Sequence, residues 1–96
     1  MELRDQLARY QSHKVVAGGE IVSYIQTGTT EKVAMVLKDK EGLDINVELP
    51  PEVFARGWPQ IGDFIAVYDD DYTSWSPRQA FIDGYTRIFG WRQRAT

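Results

Sequence analysis

Cysteine is absent from this 96-residue chain, and histidine occurs once, at His13. The first absence excludes disulfides, thiolate metal sites and a cysteine nucleophile. With one histidine, a Ser-His-Asp triad has a single possible base, and the spacing of Ser12, Ser23, Ser74 and Ser76 sets up no such triad. There is no Gly-x-Ser-x-Gly elbow and no Gly-x-x-x-x-Gly-Lys loop; Gly18-Gly19 and Gly28 stand outside any phosphate-cradling pattern. No apolar run approaches the roughly 20 residues that span a bilayer. The polar start, Met1-Glu2-Leu3-Arg4-Asp5, does not read as a signal peptide. A net charge of −3 leaves no overall basic field to draw the chain onto duplex DNA or an anionic membrane. Enzyme chemistry is therefore the weakest class, and neither a cofactor nor a metal is expected. Asp69, Asp70 and Asp71 are consecutive, so their side chains diverge and do not form the alternating ligand set of a calcium loop.

What is present suits one small folded domain over residues 1–96, with 43% hydrophobic and 26% charged residues. Leu3, Leu7 and Tyr10 fall near helical spacing, so residues 1–12 read as an N-terminal helix or arm, or else as a frayed terminus. Residues 13–89 read as a β-rich core and 90–96 as a tail. From Val15 the period becomes two. Gly18-Gly19 marks a bend or bulge, after which Ile21, Ser23 and Ile25 share one face and Val22 and Tyr24 the other. Thr27 to Thr30 form a turn. Val33, Met35 and Leu37, then Leu43, Ile45, Val47 and Leu49, alternate about an Asp39–Gly42 turn and predict a hairpin.

Pro50-Pro51 ends that strand and opens one helical turn that carries Val53 and Phe54 inward and closes at Gly57. A strand follows over residues 64–68, a turn at Asp69-Asp70-Asp71, and a return strand over 72–75. Ser76 then reads as an N-cap before Pro77, and a helix to about Asp83 is expected to bury Ala80, Phe81 and Ile82 and to end on a left-handed Gly84. Tyr85 to Phe89 form a last strand. The fold expected is mainly β: a small bent antiparallel sheet or a partly open SH3-like or OB-like barrel with one or two short helices. An α+β sheet is the alternative.

Residues 62–88 carry a Gly-Asp-aromatic strand, a Tyr-Asp-Asp-Asp-Tyr turn and Ser74-Trp75-Ser76-Pro77 followed by Phe81 and Gly84-Tyr85. This resembles the C-terminal half of a family of small tailed-phage and prophage proteins. Tyr10 to Val16 and Pro51 to Arg56 look like further parts of it, and the likeness spans about two thirds of the chain. The family's turn commonly has Gly where this chain has Asp71, and Phe89 to Arg94 run past the family's usual end. The shared residues are turn formers, caps and core aromatics, the positions a fold needs. The resemblance implies a phage-encoded protein acting in the host cytoplasm.

Aromatics and arginines crowd the second half. Trp58, Trp91 and Tyr72 offer faces for stacking, and Arg78, Arg87, Arg92 and Arg94 offer guanidinium groups for phosphates. The same residue types form protein-binding hot spots, or simply pack a small core. Two main readings follow. One is counter-defence by sequestering a nucleotide immune signal, with Arg87, Arg92 or Arg94 on phosphates and Trp58 or Trp91 on a base. The other is a module that binds a host protein, inhibits a host enzyme or defence complex, or mimics nucleic acid with acids such as Glu41, Asp44, Glu48, Asp69, Asp70 and Asp71. A minor virion or assembly component is the third. A homo-oligomer, a dimer or higher, is expected in each.

Overall fold

The long strand at the centre explains most of the architecture. The structure is a computed structural model that describes residues 2–12, 15–26 and 30–88. Helix α1 (Leu3–Gln6) leads into strand β1 (Ala8–Gln11), then β2 (Val15–Tyr24), β3 (Val33–Lys38) and β4 (Asp44–Leu49). A 3-10 turn (Pro51–Phe54) precedes β5 (Phe64–Val67), β6 (Thr73–Ser76), helix α2 (Arg78–Gly84) and β7 (Thr86–Ile88). All pairings are antiparallel. The strands run β4-β3-β2-β1-β7, with β5 also on β2 and β6 on β5, and the sheet does not close. The protein is mainly β, an open bent sheet with two short helices.

Strand β2 reaches three neighbours. Ala17 and Gly18 pair with both β1 and β5, so those two strands hold opposite edges. Beyond Ile21 the partner is β3, and Lys40 N–H donates to Gln6 O at 2.9 Å where β1 gives way to β3. A register shift between Ile21 and Ser23 marks a bulge. The extra residue turns the alternation over: Ile21 is fully buried, Ser23 and Ile25 face solvent, and Tyr24 packs on the core. The expected common face of Ile21, Ser23 and Ile25 is thereby corrected.

The β2–β5 pair is covered on both faces. Ala17, Ile21, Ile65 and Val67 join Leu7, Val33, Met35, Leu37, Leu49 and Phe54 in the main core. Val16, Phe64, Ala66 and Phe81 form a second cluster on the other face, with Tyr10, Tyr68 and Tyr85 against it. This is why β5 is an unbroken apolar run, buried at all four positions. Gly18 and Gly19 lie inside β2 and not ahead of it. A Cβ on Gly18 would stand 2.7 Å from Phe81 Cζ, and one on Gly19 2.8 Å from Leu7 Cδ2.

Three other expectations are corrected. The helical spacing of residues 1–10 yields helix only over Leu3–Gln6. Residues 8–11 pair with 15–18, and in the extended chain Leu7 enters the main core while Tyr10 enters the second cluster. In α2 only Phe81 is buried; Ala80 and Ile82 are exposed, because the helix touches the sheet along one ring-filled line. Ser76 closes β6 and caps nothing: the helix begins after Pro77, and Gly84 is its last residue, outside the left-handed region. The turn at 27–29, Phe89 and the tail lie outside the described residues.

Candidate functional site

The β3–β4 hairpin builds an open, two-sided surface from a short turn upward. Asp39 N–H donates to Leu43 O at 2.8 Å and Gly42 N–H to Asp39 O at 3.0 Å, with Gly42 at φ 81°. This is a three-residue hairpin loop that needs glycine's freedom at one place. Asp39 Oδ1 accepts from the N–H groups of Glu41 and Leu43 at 2.9 and 2.8 Å and holds the loop shut. The register that results is Lys38↔Asp44, Val36↔Asn46 and Ala34↔Glu48. These six side chains form the outward row, while Val33, Met35, Leu37, Ile45, Val47 and Leu49 line the core side. Leu43, expected to lead the inward row of β4, stays in the turn and is exposed.

The outward row continues onto β2 through Ser23↔Val36 and the Ile25 N–H to Ala34 O bond at 3.2 Å. A groove of about 580 Å3 lies here, bordered by Ser23, Ile25, Ala34, Val36, Asn46 and Glu48. Its floor is largely aliphatic, and Ile25 is 69% exposed. At one end Lys38 Nζ meets Asp44 Oδ1 at 2.7 Å, and the hydrogen bond to Asp44 holds the ammonium pKa above its ordinary value.

Strand β4 is also a sheet edge. Backbone bonding alternates along an antiparallel pair, and Asp39 with Leu43 is a bonded pair. The N–H and C=O groups of Asp44, Asn46 and Glu48 therefore point away from β3, to the open side. Asn46 and Glu48 also border a second cleft of about 400 Å3, walled across from β4 by Leu3, Arg4, Val67, Asp71 and Thr73. Asn46, Val47 and Glu48 border both hollows. Two contacts hold the far wall in place. Arg4 Nη2 binds Asp69 Oδ1 at 3.0 Å, tying α1 to the β5–β6 turn. Arg9, only 5% exposed, donates to Arg4 O at 2.9 Å and lies 3.5 Å from Asp5. Burial, then the neighbouring Arg4 charge, lowers the Arg9 pKa, while Asp5 and Asp69 oppose the shift.

The sequence-derived candidates do not converge among the described residues. Trp58 is half-buried and stacks on Tyr24 at 5.7 Å and on Phe54 at 5.1 Å, both nearly parallel, as part of the main core. Arg78 binds Glu20 at 3.3 Å and Gly62 O at 3.2 Å beside the Phe64 ring. Arg87 donates to Lys40 O at 2.7 Å and borders a 270 Å3 hollow that also holds Tyr10, Glu20, Lys38 and Asp39. Tyr72 is exposed next to Tyr68, in a hollow whose other described lining residues are the acidic Asp69 and Asp70. Trp91, Arg92, Arg94 and His13 lie outside the described residues. Residue typing missed the β4 edge. Its signal was the outward Asp44-x-Asn46-x-Glu48 row, which reads as ordinary solvated strand.

Among the described residues no three acidic or histidine side chains gather as a metal site, and no helix is long and apolar enough to cross a membrane. No family model matches the chain, and no curated protein or solved structure matches it.

Proposed function

We propose that this chain is a non-catalytic binding module that engages a partner protein through the outward face of β2, β3 and β4. The observation that carries the reading is the apolar groove over Ile25, Ala34 and Val36, which adjoins a strand edge paired with no further strand among the described residues. Exposed aliphatic surface next to unpaired backbone groups suits protein association. Nucleotide sequestration is the weaker version. Trp58 is occupied by ring stacking, and Arg78 by Glu20 and a carbonyl. The resemblance of residues 62–88 to phage proteins supports a host protein as the partner and the host cytoplasm as the place of binding.

The test is affinity capture from a bacterial host lysate with the wild-type chain and with Val36→Glu and Ile25→Glu. Both side chains lie outside the two core clusters, so both variants should keep the wild-type circular dichroism spectrum. One protein captured by the wild type and lost with both variants supports the reading. Equal capture by all three, or heat released on titration with cyclic di- or oligonucleotides at micromolar concentration, overturns it.

A further inference from the structure

The geometry points to a mode of binding at this surface: strand addition to β4 by an extended partner segment in which basic residues alternate with apolar ones. The inference rests on the binding-module reading and narrows it. Three features of β4 meet at Asn46, Val47 and Glu48. Backbone donors and acceptors at Asp44, Asn46 and Glu48 face the open side. An apolar groove lies on one face of these residues and a cleft on the other. An added antiparallel strand would direct alternate side chains to the two hollows, since strand side chains alternate between faces. One set would lie beside Asp44, Asn46 and Glu48. The other would enter the cleft toward Leu3 and Val67, where Leu3 already packs on the main core.

Charge selects the occupant. Glu2, Glu48 and Asp71 border the cleft, and no described ion pair uses any of them. Among the described residues the cleft's one cation is Arg4, already bound to Asp69. The rim is thus net acidic and complementary to Lys or Arg. The same charges argue against a second copy of this chain: two β4 strands paired about Asn46 would set Asp44 opposite Glu48 twice, and like charges directly opposite one another destabilise a sheet.

The probe is acetyl-Lys-Val-Lys-Val-Lys-Val-amide, titrated into the full-length 15N-labelled chain and followed by amide shifts and hydrogen exchange. Expected are shifts and slowed exchange at the Asp44, Asn46 and Glu48 amides. Asn46→Pro, which removes an outward N–H and is tolerated on an edge strand, should abolish them. Glu48→Lys should weaken binding by about threefold to tenfold and reverse the preference toward the Glu-Val counterpart. Shifts confined to Ser23, Ile25 and Val36, with the edge amides unmoved, overturn strand addition but leave the binding module standing. Absence of any shift at millimolar peptide also overturns it, as does equal binding of the Lys and Glu peptides. Loss of capture with Val36→Glu tests the module reading separately.

Discussion

Asp63 and Arg78 lie fifteen residues apart, and the Asp63 carboxylate receives the Arg78 backbone N–H at 2.9 Å, at the start of α2. The second carboxylate oxygen accepts from Gln60 N–H at 2.8 Å, and the Asp63 carbonyl accepts from Ile21 N–H at the same distance. One buried residue thus caps a helix and closes a turn with its side chain, and its main-chain carbonyl fixes both to β2. Asp63→Ala would leave two part-buried N–H groups without their acceptor and should cost about 1–2 kcal/mol. Asp63→Asn keeps one acceptor and should cost less. Urea midpoints of the three proteins check the order; equal midpoints would show that the cap carries no stability.

Gly18 predicts a change of the opposite kind from Gly84. A methyl group at Gly18 meets the Phe81 ring at 2.7 Å and the Tyr10 ring at 2.9 Å. Those rings are locked: Phe81 stacks on Phe64 at 4.4 Å and meets Tyr10 edge-on at 4.8 Å. Gly18→Ala should therefore destabilise by about 1–3 kcal/mol through overpacking. At Gly84 nothing lies within 4 Å and the backbone is helical. Gly84→Ala should stabilise by up to about 1 kcal/mol. Thermal unfolding should move the two variants in opposite directions from the wild type.

These two sites show what was legible in the sequence. The β3–β4 hairpin was, because Val33 to Leu37 and Ile45 to Leu49 alternate on either side of a turn written in Asp39 and Gly42. So was the order of strand, turn, strand and helix from Phe64 to Gly84. The cap was not: proximity of Ser76 to Pro77 suggests a local cap, while the actual acceptor arrives from Asp63 by tertiary pairing. Nor was β1, since Leu3, Leu7 and Tyr10 fit helical spacing and only pairing with Val15 to Gly18 draws the segment out. The stack of Tyr24, Phe54 and Trp58 joins three segments distant in sequence, so Trp58 as a lone aromatic could be read as a stacking face. By type alone the outward acids Asp44 and Glu48 read as mimics of nucleic-acid charge. Their meaning came from the edge position of β4, a property of topology that residue type does not encode.

The turns at 39–43 and 68–72 are the same device with different residues. In the second, Tyr68 N–H donates to Tyr72 O at 2.8 Å and Asp71 N–H to Tyr68 O at 2.9 Å, matching the bonds around Gly42. Asp71 holds the left-handed position at φ 65°. A side chain there is strained by about 1 kcal/mol, less for Asp than for most residues. Asp71→Gly relieves the strain and gives back part of it as unfolded-state entropy. A net gain of about 0.5 kcal/mol is expected, seen as a melting temperature a few degrees higher. A lower melting temperature would mean that the Asp71 side chain contributes to the turn.

Tyr10 supplies the pH dependence. Burial in the second cluster raises its phenol pKa above the ordinary 10.0, with Glu20 pushing the same way and Arg87 and Arg78 opposing. Tyr85 shifts upward too, through burial and then hydrogen bonding to Tyr68. A phenol that holds its proton more tightly when folded contributes stability fully present below the unfolded value. That contribution is lost as pH rises through the folded value, because the unfolded chain ionises first. Stability should hold steady up to about pH 9 and fall from about pH 10 upward. Tyr10→Phe keeps the ring contacts with Phe64 and Phe81 and removes the ionising group. Its unfolding free energy from urea titration should fall less steeply above pH 10, by at most about 1.4 kcal/mol per pH unit. Parallel slopes for the two proteins would assign the alkaline loss to Tyr85 and other groups, and would place the Tyr10 hydroxyl in solvent.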